Sequence, residues 1–161
     1  MKNNKKIIAA NWKMNGSVEL MKEFSQLTRA KRNEVIICPP FTLLDSAKKL
    51  LPNFIKIGAQ NCSEEDKGPF TGEISASMLQ EKSVSYVLIG HSERRTLFKE
   101  TDDVIFKKVE AAIKSKLIPI VCIGETLSEK KANKTLQVLN SQINGSLLKI
   151  DPHEQVIVAY E

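Results

Sequence analysis

Lys13, His91 and Glu161 each follow closely on a short apolar run, and together they offer a cation, an imidazole and a carboxylate. That trio suits proton transfer. The carboxylate can accept a proton, the imidazole exchanges protons near neutral pH, and the cation stabilises developing negative charge. Each residue also has an ordinary reading. A lysine after a strand is usually a surface residue, a histidine before Ser92-Glu93-Arg94-Arg95 can cap a helix, and Glu161 closes the sequence. Their joint placement carries more, because reactive groups of parallel α/β folds gather at the carboxyl ends of the strands. Reading only those ends gives Asn11-Trp12-Lys13-Met14-Asn15-Gly16, Gly90-His91-Ser92-Glu93-Arg94-Arg95, Cys122-Ile123-Gly124-Glu125-Thr126 and Ala159-Tyr160-Glu161.

The elements that must position them are six apolar runs, at 6–11, 34–38, 54–59, 85–89, 117–123 and 155–160. They are rich in Val and Ile and nearly continuous, as strands buried on both faces should be. Helical spacing fills the intervals. Leu20, Met21, Phe24 and Leu27 follow a cap at Ser17, and a capping-box-like start at Thr42–Asp45 leads Leu43, Leu44, Ala47, Leu50 and Leu51. A short helix spans 75–82. Thr101 caps a longer one with Val104, Ile105, Val109, Ala112 and Ile113, and Leu136, Leu139, Ile143 and Leu147 mark the last. Strand and helix alternate throughout, which implies parallel βαβ packing.

Strand-to-strand spacing is roughly 20 to 40 residues, the size of one unit in an eight-fold barrel of about 250 residues. The expectation is therefore a partial (β/α)8 barrel of five βα units plus a sixth strand, not closed, within an α/β class. A flavodoxin-like open sheet is the structural alternative. Neither GxGxxG nor GxxxxGK[ST] follows the first strand, so a nucleotide-binding sheet loses ground.

Hydrophobic residues at 42% and charged residues at 27% place the chain among folded globular proteins. Its net charge is +5, and the basic residues are scattered, as at Lys2, Lys5, Lys6, Lys48, Lys49, Lys130 and Lys131, without zinc-finger spacing or aromatic-basic interleaving. These lysines read as solvated faces rather than a nucleic-acid footprint, although they can steer a small anion. Cys38, Cys62 and Cys122 lack CxxC spacing, and Cys38 and Cys122, which end apolar runs, read as reduced, buried residues of a cytoplasmic protein. The apolar stretch after the basic start is too short for a signal peptide, and nothing approaches membrane-spanning length.

Six stretches, Ala10-Asn-Trp-Lys-Met-Asn15, Gly58-Ala-Gln-Asn61, Gly68-Pro-Phe-Thr-Gly-Glu-Ile-Ser75, Val87-Leu-Ile-Gly-His-Ser-Glu-Arg-Arg95, Val121-Cys-Ile-Gly-Glu125 and Val158-Ala-Tyr-Glu161, resemble the triosephosphate isomerase family in order and spacing. The resemblance implies interconversion of dihydroxyacetone phosphate and D-glyceraldehyde 3-phosphate through an enediolate, in glycolysis and gluconeogenesis, with no metal or cofactor. It implies Glu161 as the base, His91 as the group that polarises the carbonyl and moves protons between oxygens, and Lys13 beside the phosphate. Asn11 would bind substrate with Lys13, while Ser92, Glu93 and Cys122 would support the reacting groups. Thr71 and Glu73 would reach a second subunit, with Arg94 a partner of that loop, in a homodimer.

Members of that family continue past the glutamate into a mobile lid, two strands and three helices. The resemblance therefore implies that 1–161 is a single truncated barrel domain with unpaired edges at its first and sixth strands. A terminal Glu161 would have a main-chain carboxylate beside its side chain, which raises the side-chain pKa. Two functions follow as expectations. One is an isomerase; the other is a non-catalytic remnant, or half of a split isomerase that binds a complementary C-terminal fragment.

Overall fold

A computed structural model describes residues 6–28 and 33–161; Lys2 and Lys5 lie outside the described residues. Six strands form one parallel sheet: β1 Ile7–Asn11, β2 Glu34–Cys38, β3 Ile55–Ala59, β4 Tyr86–Ile89, β5 Ile118–Ile123 and β6 Ile157–Tyr160. Each strand pairs with the next in sequence, so the spatial order is β1-β2-β3-β4-β5-β6. A flavodoxin-like sheet reverses direction at a switch point, and no such crossover occurs here.

The sheet curls. Neighbouring strands lie about 4.8 Å apart, so three steps in a flat sheet would separate two backbones by about 14 Å. Yet Lys13, just past β1, meets Glu93, just past β4, at 2.7 Å. On the concave face Glu34 of β2 also accepts a hydrogen bond from the Tyr86 hydroxyl of β4, bridging over β3. Sequential parallel pairing, curvature and alternating helices together make a partial (β/α)8 barrel.

Both faces are filled, which is why the strands read as unbroken apolar runs. Ile36, Cys38, Tyr86, Leu88, Ile120 and Cys122 pack inside the curl. Met21, Ile37, Ala47, Leu79, Val87, Ile105, Val109 and Val121 form the larger layer beneath the helices. The two edges differ: Ile7 and Ile8 of β1 and Val158 and Tyr160 of β6 stay about half exposed, from 46% to 59%. Among the described residues neither edge has an outer neighbour.

The helices are α1 Val18–Ser25, α2 Leu44–Leu50, α3 Ala76–Glu81, α4 Ser92–Leu97, α5 Asp102–Lys114, α6 Leu127–Lys131 and α7 Thr135–Ser146. Ser17, Ser75 and Thr101 cap α1, α3 and α5 by accepting backbone N–H groups of Leu20, Met78 and Val104. Three expectations need correction. The start predicted at Thr42 is a 3-10 turn over Phe41–Leu43 after Pro39-Pro40, and α2 begins at Leu44 without a side-chain cap. Helix α6, not anticipated, is closed by a capping box between Thr126 and Glu129. The stripe on α7 is only partly used, since Leu136 and Ile143 remain exposed while Leu139 and Leu147 touch the core.

Ile105 is fully buried between α5 and the sheet, whereas Leu136 on α7 is 75% exposed. Ile105→Ala should cost about 2–5 kcal/mol in urea unfolding, and Leu136→Ala no more than about 0.5 kcal/mol. Equal costs would contradict the placement of the core.

Candidate active site

The first loop is held from several sides. The Trp12 N–H extends the β1–β2 ladder by donating to the Cys38 carbonyl at 3.1 Å, and the Trp12 ring packs edge-on against Phe24 at 5.4 Å. Lys13 next adopts a left-handed backbone, φ +51°. A non-glycine residue holds that conformation only with support. Asn11 supplies part of it, its Oδ1 accepting the Lys13 N–H at 3.0 Å. Gln60 supplies the rest, donating through Nε2 to the carbonyls of Lys13 and Cys38, each at 2.9 Å.

The Lys13 ammonium pairs with Glu93 Oε1. That hydrogen bond raises the lysine pKa, with desolvation acting against it, and the nearby carboxylates of Glu93 and Glu161 add to the rise. The same bond from Lys13 lowers the Glu93 carboxyl, against desolvation and with help from His91. Both side chains are about half exposed, so solvent screens the pair.

His91 is the N-cap of α4, and its Nδ1 accepts the Glu93 N–H at 3.2 Å. A ring nitrogen that accepts carries no hydrogen, so the tautomer has its N–H on Nε2. That nitrogen lies 3.2 Å from Glu161 Oε1. The imidazole is 14% exposed.

Glu161 extends the β5–β6 ladder by donating its N–H to the Ile123 carbonyl at 2.9 Å. Its Oε2 accepts the Ser92 N–H at 3.0 Å. Burial pushes the carboxyl pKa up, but hydrogen bonds from Ser92, the proximity of His91 and the Cys122 thiol outweigh it, and the net shift is downward. This corrects the expected rise: bonds made by the side chain itself dominate. Burial first, and then the Glu161 carboxylate, push the Cys122 thiol up to about 12, so it packs against the carboxylate as an un-ionised group.

Neighbours that strand-end reading did not weight prove important. Glu125 accepts the Tyr160 hydroxyl at 3.0 Å and the Thr135 hydroxyl at 3.0 Å, fixing the residue before Glu161. Gln142 of α7 pairs with both the N–H and the carbonyl of Gly124, at 2.8 and 3.0 Å. Gln60 and Glu125 stand at strand ends and were open to the same filter; Gln142, mid-helix, offers no such signal.

The residues expected at a subunit contact do not join this rim. Thr71 and Glu73 lie on an exposed loop. Within this chain Arg94 is engaged elsewhere, donating to Glu100 Oε1 at 2.6 Å and stacking over Phe98 at 4.6 Å. Lys108 donates to the same Glu100 oxygen at 2.6 Å and to Asn61 at 3.0 Å. Burial alone would raise the Glu100 pKa, yet Lys108 and Arg94 bring it below the usual value.

Among the described residues no group of three or more His, Cys, Asp and Glu stands close enough to hold a metal ion, and no helix is long and apolar enough to cross a membrane. A groove of about 1020 Å³ bordered by α3 and α5 is lined by none of the rim residues and mixes both signs of charge. The rim itself brings together a carboxylate that accepts, an imidazole N–H that donates and an ammonium.

Residues 6–161 match the family model described as triosephosphate isomerase. A triosephosphate isomerase of Alkaliphilus metalliredigens is 48% identical over 98% of the chain and 66% of its own length; that of Clostridium tetani is 45% identical over 98% and 64%. The crystal structure of triosephosphate isomerase from Bartonella henselae superposes with a TM-score of 0.90 at 46% identity, covering 98% of this chain and 67% of that one. The chain thus spans about two thirds of the length of these relatives.

Because the folded pKa of Glu161 lies below its unfolded value, its stabilising contribution is complete above the unfolded value, about 4.3. It is lost as pH falls through the folded value. The stability difference between wild type and Glu161→Gln should therefore shrink as denaturation is followed from about pH 5 to pH 3. A difference constant over that range would contradict the assignment.

Proposed function

The chain belongs to the triosephosphate isomerase family, and from that premise we propose that its rim isomerises phosphorylated trioses, dihydroxyacetone phosphate to D-glyceraldehyde 3-phosphate and back. The observation that carries the reading is the 3.2 Å approach of His91 Nε2 to Glu161 Oε1, with the Lys13 ammonium on the same rim. A substrate hydroxy-ketone that displaces this contact meets a base and an N–H donor side by side on one rim.

Glu161 takes a proton from the hydroxyl-bearing carbon, and the C–H pair becomes the C=C bond of an enediolate. The carbonyl oxygen receives the displaced pair and is stabilised by the Nε2–H of His91. Lys13, held by Glu93, lowers the energy of that negative charge. His91 passes a proton to this oxygen and recovers one from the neighbouring hydroxyl, and Glu161 returns its proton to the other carbon. No atom is gained or lost. A low Glu161 pKa keeps the base ionised at neutral pH. Asn11 shapes the lysine loop and presents its amide beside it.

The chain matches the N-terminal two thirds of its relatives, and the exposed β1 and β6 edges favour a second element of this reading. We infer that the sheet works together with a complementary segment, in the same or another polypeptide, that pairs with both edges and supplies further phosphate contacts. Homodimerisation through the Thr71–Glu73 loop is part of the same proposal, supported by the exposed Met14 and Phe98 beside Lys13 and Arg94.

Isomerase turnover should be assayed with the chain alone and with a separately expressed segment corresponding to the last third of a relative. Activity above that of either piece is expected, and its absence would contradict the reading. Within the active material, His91→Gln, Lys13→Ala and Glu161→Gln should each lower turnover by about a hundredfold or more. Near-normal turnover in His91→Gln would overturn the assignment.

A further inference from the structure

Arg95 stands beneath the rim with its side chain 15% exposed and all three of its guanidinium nitrogens engaged. Nε donates to the Gly90 carbonyl at 2.8 Å, Nη1 to Asp102 Oδ1 at 2.6 Å, and Nη2 to the Cys122 carbonyl at 3.3 Å. The main-chain N–H of Arg95 also donates to the His91 carbonyl at 3.1 Å. The peptides before and after His91 are therefore both held by one residue, which restricts the two torsions that aim the imidazole. The third contact reaches the other reacting group. Cys122 packs its thiol on Glu161, and the next carbonyl along β5, that of Ile123, accepts the Glu161 N–H.

The surroundings are built for this side chain. Gly90 has φ +72°, and a methyl group there would come within 2.9 Å of Ile105 and 3.3 Å of the Arg95 guanidinium. Asp102, which seats the guanidinium, is itself covered by α7: a methyl group at Gly145 would fall 2.6 Å from its Cβ. Guanidinium is planar and points donors from three separate nitrogens in fixed directions, so it spans two carbonyls and a carboxylate that an ammonium would have to reach from one point.

We propose that Arg95 is a positioning residue: its planar guanidinium locks the carboxyl ends of β4 and β5 together and so sets the spacing and ring orientation of His91 against Glu161. The inference rests on the reading of that pair as the reacting groups. Its structural alternative is a brace that stabilises the sheet and leaves the imidazole unchanged.

The chain has two histidines, His91 and His153, so 15N spectra of the imidazoles separate the two outcomes. In the unmodified protein His91 should show the pattern of one tautomer, hydrogen on Nε2. In Arg95→Lys, folded by circular dichroism, its two nitrogen shifts should move toward those of exposed His153. Asp102→Asn keeps an acceptor but removes the charge that seats the guanidinium, and should move them the same way by less. Unchanged His91 shifts in a folded variant would overturn the proposal, and Asp102→Asn decides it should Arg95→Lys not fold. Should neither fold, the Arg95 Nε–H in the unmodified protein must exchange at least about tenfold more slowly than in free arginine; fast exchange overturns the clamp. In active material Arg95→Lys should lower kcat by about ten- to a hundredfold with KM within about threefold; a loss confined to KM also overturns it. Absence of turnover in the unmodified protein with the complementary segment present, with the His91 shift response intact, removes the isomerase reading alone.

Discussion

Curvature of a sequentially paired parallel sheet is the constraint on which everything else rests. Lys13, His91 and Glu161 follow β1, β4 and β6, which in a flat sheet would spread over five strand spacings. The curl folds those ends onto one rim, so that Lys13 reaches Glu93 and His91 reaches Glu161. Curvature in turn depends on what fills it. Ile36, Leu88 and Ile120 pack inside, and a larger apolar layer lies outside under the helices. The same geometry explains the edges: a curled sheet with two ends leaves β1 and β6 half covered, where a closed barrel has no ends.

Electrostatics at the rim follows from short bonds rather than from net charge. Glu161 is partly desolvated, yet hydrogen bonds from Ser92 and Cys122 and the adjacent imidazole keep its pKa low. His91 receives the Glu93 N–H on Nδ1, which leaves its only hydrogen facing Glu161. Glu93 thereby serves two neighbours, His91 through its main chain and Lys13 through its carboxylate. A scattered +5 contributes at most steering.

Much of this was legible in the sequence, for reasons that can be named. All six strands lie within the apolar runs, their ends shifted by no more than two residues, because burial on both faces leaves a continuous signal. Ser17, Ser75 and Thr101 cap where helical spacing begins. Helix α6 carries its own sequence signal, a Thr126-x-x-Glu129 capping box, although it is only five residues long. Others had none. Helix α7 looks amphipathic, but whether Leu136 is buried depends on what lies beside it. Arg95, Gln60 and Gln142 act on backbone carbonyls and amides, which every residue possesses, so their partners are set only by the fold. The partnership of Lys13 with Glu93, 80 residues apart, likewise depends on the curl.

In the proposed reaction Glu161 removes a carbon-bound proton from a phosphorylated triose. Proton exchange tests it without requiring complete turnover: dihydroxyacetone phosphate is incubated in deuterium oxide with the protein and the complementary segment, and loss of the hydroxymethyl proton signal is followed by NMR. Wild type should wash out one of the two protons stereospecifically, and Glu161→Gln should do so no faster than the buffer. Equal exchange by wild type and Glu161→Gln, or none above buffer by wild type, would contradict the account.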